Sequence, residues 1–181
     1  MLSDAEKLFP AVRYGYSTMI DDRNFIKETR SDFDIVDAHY DPQDGLPVVV
    51  TKVKMNAVVR DHRGEVHPGA FCLILDVVTT FSSFADLQFY EFPDDRVENV
   101  RFINNSPPAG LFLKLGISRS IKSHRLRGIP AGSTVYFASK MVESTPQSSF
   151  TTCEVFGEDG NLLATGSHDK TVLRKMVKPK L

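Results

Sequence analysis

The chain has 181 residues, which fits one domain large enough to bury a core without disulfide cross-links. Its formal net charge is −1, which removes the usual electrostatic reason to expect nucleic acid or an anionic membrane surface as a partner. The two cysteines, Cys72 and Cys153, lie in apolar segments without CxxC spacing, so neither a disulfide framework nor a metal site is expected. These properties predict a soluble globular protein in a reducing compartment.

The ends of the chain bear on localisation. The first residues do not join a basic segment to an apolar run as a secretory signal does, and no apolar run approaches the ~18 residues of a membrane span. The last three residues, 179–181, approximate a peroxisomal address with Pro179 in place of Ser, and an ordinary basic tail is the alternative interpretation. We therefore expect a cytoplasmic protein, or a peroxisomal one if the tail acts as an address.

In chain order, the first patterns predict helix and then strand. Residues 1–30 have helical character and form an expected N-terminal extension to a main domain at 31–175, which is followed by a basic tail at 176–181. Alternation of apolar and polar residues over 32–40 indicates a half-buried strand. A stretch rich in β-branched residues over 47–60 indicates a second, long strand.

The next element is an apolar segment at 69–84, which predicts a helix of about four turns. Apolar residues lie on most of its sides, which is typical of a helix buried within a fold. Pro68 suits the first helical position, where a missing N–H costs nothing. The polar residues recur every three to four positions as one narrow stripe: Cys72, Asp76, Thr79 or Thr80, and Ser83.

The rest of the chain predicts an antiparallel meander. A long connection at 85–110 is rich in aromatic residues, which favours a packed insert, such as a lid or binding loop, over disorder. Strands are expected over 111–127, 134–143, 149–156 and 162–173. Two strands, one apolar helix and four strands predict an α+β fold in which an antiparallel sheet wraps around a central buried helix.

The loop before the helix and the acid within it are similar to a known family. The sequence DHRGEVHPG, with Asp76 nine positions after His67, resembles the hotdog-fold thioesterases of the phenylacetate-pathway (PaaI) type, which include the small acyl-coenzyme A thioesterases of animals. The resemblance covers about 30–173. It implies the hotdog fold, hydrolysis of an acyl thioester carried by coenzyme A without any other cofactor, and a homodimer or dimer of dimers. The matching segments are 61–69, 116–120, Gly132 and 164–168.

Asp76 is the strongest candidate for a catalytic residue. A carboxylate within an apolar helix must be paired, hydrogen-bonded or raised in pKa, and a purely structural bond to a neighbouring strand is the alternative. The resemblance implies that Asp76 is the nucleophile or the base that activates water, with Ser118 beside that water. Asp61 stands where the family has an Asn that positions the acyl group, and it is either a substrate-binding residue with different chemistry or a loop residue.

The start of the helix is the expected oxyanion site. In the family, the N–H of the residue after the His polarises the thioester carbonyl, but Pro68 has no N–H. The donor is therefore expected at Gly69 or Ala70, and His67 is expected to cap the helix or orient the ligand. Gly69 and Asp76 are seven residues apart, about 10 Å along a helix, so one carbonyl cannot touch both. This spacing predicts an obligate dimer with a shared site.

Regular alternation along 117–127 predicts that Ser118, Ser120, Lys122 and His124 share one face of a strand, with Arg125 on the other. This polar strand is expected to line a substrate pocket, where its basic residues receive the phosphates of coenzyme A or a substrate carboxylate. A solvated edge is the alternative.

Two further functions remain open from the sequence. One is a non-hydrolytic hotdog enzyme, such as a dehydratase, isomerase or cyclase acting on a carbonyl or polyketide-like substrate, with Asp76 and His124 as its acid/base pair. The other is an acyl-binding protein with a degenerate site.

Overall fold

The computed structural model describes residues 1–19, 33–105, 107, 111, 116–145 and 147–171. The C-terminal tail and residues 20–30 of the predicted N-terminal extension lie outside these residues, so the domain boundaries and the localisation stay predictions. The two α-helices are α1 (Asp4–Met19) and α2 (Pro68–Phe81). The strands are β1 (Phe33–Tyr40), β2 (Pro47–Lys54), β3 (Tyr90–Glu91), β4 (Arg101–Phe102), β5 (Ile117–Arg125), β6 (Thr134–Ser144), β7 (Ser148–Gly157) and β8 (Leu162–Thr171).

Six strands form one antiparallel sheet in the order β1-β2-β6-β7-β8-β5, and β3 pairs with β4 in a separate two-stranded ribbon. Alternate residues on the inner face of the sheet pack against α2, which supplies the buried side chains Phe71, Leu75, Val78 and Phe81. The predicted α+β architecture, with an antiparallel sheet around a central helix, is confirmed.

The strand ends differ from the sequence prediction in two places. The strand expected over 47–60 ends at Lys54, because the Asn56 side chain accepts a hydrogen bond from Val58 N–H and caps a short 3₁₀ helix at Ala57–Val59. The strand expected over 111–127 begins at Ile117 rather than 111. The ribbon of β3 and β4 was not predicted.

Only one side of α2 is buried within the single chain. Leu73 is 45% exposed, and Ile74 and Val77 on neighbouring positions are half-buried. The helix and its following turn, Pro68–Ala85, span 18 residues with a mean hydropathy of 1.5, so the expectation that no apolar run approaches that length was wrong. More than half of this segment is buried inside the protein, which accounts for its apolar composition.

The connection after α2 packs against α1. The ring of Tyr14 lies 5.1 Å from that of Phe102, which stacks on Tyr90 at 5.2 Å, and both Phe102 and Tyr90 are buried. The prediction that this connection is packed rather than disordered is confirmed for residues 85–105. Together, α1 and the connection cover the end of the core that lies beyond the C-terminus of α2.

Close contact between β8 and α2 depends on a glycine. A Cβ built at Gly166 would lie 2.6 Å from Leu75 Cδ2, and Leu75 is fully buried. We therefore expect Gly166→Ala to lower the free energy of unfolding by about 1–3 kcal/mol in a urea titration, because the core cannot yield space without strain. Ser167→Ala, one position along and on the opposite face, should change it by less than about 0.5 kcal/mol. Equal effects of the two substitutions would contradict this packing.

Candidate functional site

The polar stripe of α2 meets side chains from β5 and β8. Asp76 Oδ1 accepts a hydrogen bond of 2.8 Å from Ser118 Oγ and lies 3.2 Å from His168 Nε2. The Asp76 side chain is 35% exposed, whereas that of His168 is 1% exposed. One carboxylate oxygen is thus held by the protein, while part of the carboxylate stays accessible to solvent. This is the geometry that a general base needs, because it must be both fixed and reachable.

The imidazole of His168 bridges α2 and β5. Its Nδ1 lies 2.6 Å from Thr79 Oγ1, and its Nε2 lies 2.9 Å from Ser118 Oγ. The Thr79 hydroxyl also lies 2.6 Å from the Leu75 carbonyl, to which it donates. With that proton committed, Nδ1 is the nitrogen that donates to Thr79, and Nε2 is an acceptor. The single hydroxyl proton of Ser118 is then shared between two acceptors, Nε2 and the Asp76 carboxylate.

Two buried bases surround this carboxylate. Burial, together with the Lys170 ammonium, lowers the pKa of His168 to about 4, although Asp76 acts in the opposite direction. Burial also lowers the pKa of Lys170 to about 8, again against the effect of Asp76. Lys170 Nζ donates to Thr80 Oγ1 over 2.7 Å. At neutral pH, His168 is therefore uncharged and Lys170 is mostly protonated.

A bulge in β5 decides which residues reach the site. Ser118 pairs with Lys170 and Ser120 pairs with Asp169, so Arg119 is an extra residue whose backbone has no register partner on β8. Because one inserted residue reverses the alternation, Ser118 faces α2 together with Ile121, Ser123 and Arg125 rather than with Ser120. The predicted grouping of side chains on this strand was therefore wrong. The exposed side chains of Ser120, Lys122 and His124 lie on the outer face of the sheet.

This placement separates His124 from Asp76 within one chain. His124 pairs with Thr165, whose neighbours on the inner face of β8 are Ala164 and Gly166. The predicted acid/base pair of Asp76 and His124 is thus not formed in the chain, and the imidazole beside Asp76 is that of His168.

The N-terminus of α2 offers one open backbone donor. His67 is the N-cap, and its Nδ1 accepts from Gly69 N–H at 3.1 Å, while Phe71 N–H donates to the His67 carbonyl at 2.9 Å. Pro68 has no N–H. Of the first-turn amides in the described part of the chain, Ala70 N–H is the one left without a protein acceptor. Of the two predicted donors, Gly69 is engaged by the cap and Ala70 is open.

The loop before α2 is fixed by hydrogen bonds among its own residues and by one hydrogen bond from β5. Asp61 Oδ1 accepts from Arg63 N–H at 2.8 Å and Glu65 N–H at 3.0 Å. Burial alone would raise the pKa of Asp61, but these backbone hydrogen bonds outweigh it and lower the pKa. The contacts favour the loop-residue interpretation of Asp61. Arg125 likewise turns to the main chain, where its Nη1 donates to the Val66 carbonyl at 2.5 Å.

Solved structures provide an external comparison for this architecture. Thioesterase superfamily member 2 from zebrafish has a TM-score of 0.61 at 16% identity, over 91% of this chain and 98% of its own. PaaI from the E. coli phenylacetic acid degradation operon has 0.61 at 10% identity, over 93% and 96%. A hypothetical thioesterase from Streptococcus pneumoniae TIGR4, solved with coenzyme A, has 0.56 at 9% identity, over 81% and 90%. No protein-family model and no curated protein matches the sequence. The chain has the hotdog fold.

Within the hotdog fold, two of the site's polar residues went unpredicted. Alternation along β8 places Ala164, Gly166, His168 and Lys170 on the inner face, where small residues are followed by two ionisable ones. A polar stripe on a buried helix requires partners on the facing strands, because buried polar groups are almost always hydrogen-bonded. Pairing the stripe of α2 with this face of β8 is the signal that would have found His168 and Lys170.

The buried His168 should make stability depend on pH. Its folded-state pKa is lowered, so the unfolded chain binds a proton first and the fold loses stability as the pH falls from about 6.5 towards 4. We expect a loss of about 2 kcal/mol between pH 7 and pH 5, measured by urea unfolding. His168→Gln should remove most of that dependence, while the exposed His124→Gln should keep it. A His168→Gln variant with the original pH dependence would contradict a neutral, buried His168.

Proposed function

We propose that this hotdog protein hydrolyses acyl thioesters, with Asp76 as the catalytic base or nucleophile. The observation that supports this most is the half-exposed Asp76 carboxylate, held on one side by Ser118 and set beside a neutral, buried His168. A fixed carboxylate with a free face suits attack on a carbonyl or activation of water. The solved Streptococcus pneumoniae neighbour contains coenzyme A, which makes acyl-coenzyme A the first substrate class to test.

In the proposed reaction, water lies against the free face of Asp76. The carboxylate takes a proton from the water as the water oxygen attacks the thioester carbonyl. The tetrahedral intermediate then expels the thiolate, which accepts that proton from Asp76. Ser118 keeps Asp76 oriented through its 2.8 Å hydrogen bond, and the uncharged His168 supports Ser118 without adding a competing positive charge. A direct attack by Asp76, through an anhydride that water then hydrolyses, uses the same contacts.

The open amide of Ala70 is the proposed oxyanion donor, supplied by a second subunit. The Ala70 N–H and the Asp76 carboxylate are separated by six residues of one helix, about 9 Å, so one substrate carbonyl cannot contact both within one chain. β5 is an outer strand of the sheet, and the neighbouring side of α2 exposes Leu73. An outer strand next to an exposed apolar helix surface supports a homodimer that joins Asp76 of one chain to Ala70 of the other.

The first experiment measures thiol release from a panel of acyl-coenzyme A substrates that differ in chain length and in aromatic content. We expect Asp76→Asn to lower kcat at least about 100-fold, because the amide neither accepts the proton nor attacks the carbonyl. Asp169→Asn is the matched control. This carboxylate lies on β8, on the face of the sheet away from α2, and it accepts a hydrogen bond from Arg119. Turnover by Asp76→Asn at the rate of the control would reject the catalytic role.

The shared site is tested by mixing two inactive variants. Ala70→Pro removes the open N–H in the first turn, where proline is tolerated, and should lower kcat about 100-fold or more. When Ala70→Pro and Asp76→Asn chains are unfolded, mixed equally and refolded, half of the dimers should be hybrids with one intact site. About a quarter of the wild-type activity should return. A mixture as inactive as its components would contradict a site that spans two subunits.

A non-hydrolytic acid/base enzyme on a carbonyl substrate is the second candidate. It is favoured by Pro68, which removes the amide that would follow the His in PaaI-type enzymes. His168 then takes the acid/base position that sequence alternation assigned to His124. Failure of wild-type protein to release thiol from every substrate of the panel, together with loss of a bound carbonyl ligand in Asp76→Asn, would favour this candidate over hydrolysis.

A further inference from the structure

α2 and the residue before its N-cap contact one face of β5 at three points, from the middle of the helix (the lower end) to the N-cap (the upper end). Ser118 Oγ donates to Asp76 at the lower end, and Ser123 Oγ lies 3.5 Å from Cys72 Sγ one helical turn closer to the N-terminus. At the upper end, Arg125 Nη1 donates to the carbonyl of Val66, immediately before the N-cap. The bulge at Arg119 is what places all three side chains on the same face as α2.

The Arg125 contact is partly buried and involves two defined acceptors. Its side chain is 17% exposed, Nη1 lies 2.5 Å from the Val66 carbonyl oxygen and Nη2 lies 3.2 Å from Glu65 Oε2. Gly128 leaves room for this arrangement, since a Cβ built there would lie 2.1 Å from Glu65 Oε1. A guanidinium fixed by a main-chain carbonyl and a carboxylate is a structural anchor, and not a group free to follow a ligand.

The carbonyl that Arg125 binds belongs to the residue four positions before Ala70. In a helix extended by one residue, the Val66 carbonyl would accept the Ala70 N–H and close it to any ligand. Two features oppose that extension. Pro68 disfavours a helical conformation at His67, which is extended with φ −60° and ψ 135°, and Arg125 occupies the Val66 carbonyl.

We infer that Arg125 is a positioning residue that keeps the Ala70 N–H open and aimed outward as the oxyanion donor of the proposed hydrolase. The inference rests on the proposed function. It assigns to Arg125 a task different from contact with substrate phosphates or carboxylates. Because Arg125 lies at the end of an outer strand, it also couples the position of that strand to the geometry of the oxyanion site.

The test is a double-mutant cycle on kcat and KM for the best acyl-coenzyme A substrate. Arg125→Met should lower kcat about 10-fold with KM nearly unchanged, because misplacing the donor affects the transition state more than substrate binding. In an Ala70→Pro background, Arg125→Met should cost less than about 2-fold, since the group it positions is already gone. Arg127→Met, an exposed neighbour on the same strand end, should leave both constants unchanged. An equal loss in both backgrounds, or a change confined to KM, would overturn the inference.

A second measurement separates this inference from the proposed reaction. Hydrogen exchange of the Val66 and Phe71 amides, which donate to Ile129 and His67 carbonyls, reports the loop and first turn directly. In Arg125→Met, both amides should exchange at least about 10-fold faster while Val78 in the middle of α2 is unaffected. Arg125→Lys, which keeps a donor, should restore part of the protection. Unchanged protection in Arg125→Met overturns the inference even if thiol is released. Absence of thiol release from the wild type overturns the hydrolase proposal and the oxyanion role of Ala70, while lost protection would still show that Arg125 positions the first turn.

Discussion

The site depends on one requirement, which is that a carboxylate in an apolar helix must find hydrogen-bond partners. Asp76 finds one in Ser118 on β5, whose hydroxyl also contacts His168 on β8, and these contacts fix how α2 lies across the sheet. Leu75 against Gly166 adds the apolar half of the same contact, because the absent side chain lets the helix approach β8 closely. A buried hydrogen-bonded network favours one arrangement of the core, since sliding of the helix would leave several polar groups unpaired.

The electrostatics of the network follow from its burial. Lys170 and His168 both lie on the inner face of β8, and burial disfavours a positive charge on each. His168 is the group that loses its proton, because its ordinary pKa lies near neutrality and the Lys170 ammonium opposes a second positive charge. Lys170 keeps most of its charge, with Thr80 as a partner and Asp76 as a stabilising anion. The Asp76 carboxylate thus faces one cation and one neutral imidazole.

The sequence predicted the features that depend on neighbouring residues and missed those that depend on residues far apart in the chain. The order of strands and helix, the buried position of α2 and the hydrogen-bonded state of Asp76 follow from local periodicity and from a charge in an apolar run. The bulge at Arg119 could not be predicted, because an extra residue leaves no mark on an already polar strand, and it reversed the faces assigned to Ser120, Lys122 and His124. His168 was missed for another reason: its partners are 50 and more positions away in sequence.

Pro68 shows how a single departure from the family pattern can be accommodated. Removing the N–H after the His does not remove every possible oxyanion donor, because the N-terminus of a helix has several unpaired amides. The His67 imidazole engages Gly69, so the open amide is that of Ala70, two residues beyond Pro68. Moving the donor by two residues shifts it by about 3 Å along the axis and about 200° around it. In the proposed hydrolase, a substrate carbonyl that follows the donor must therefore enter from a different direction than in the family pattern that the sequence resembles.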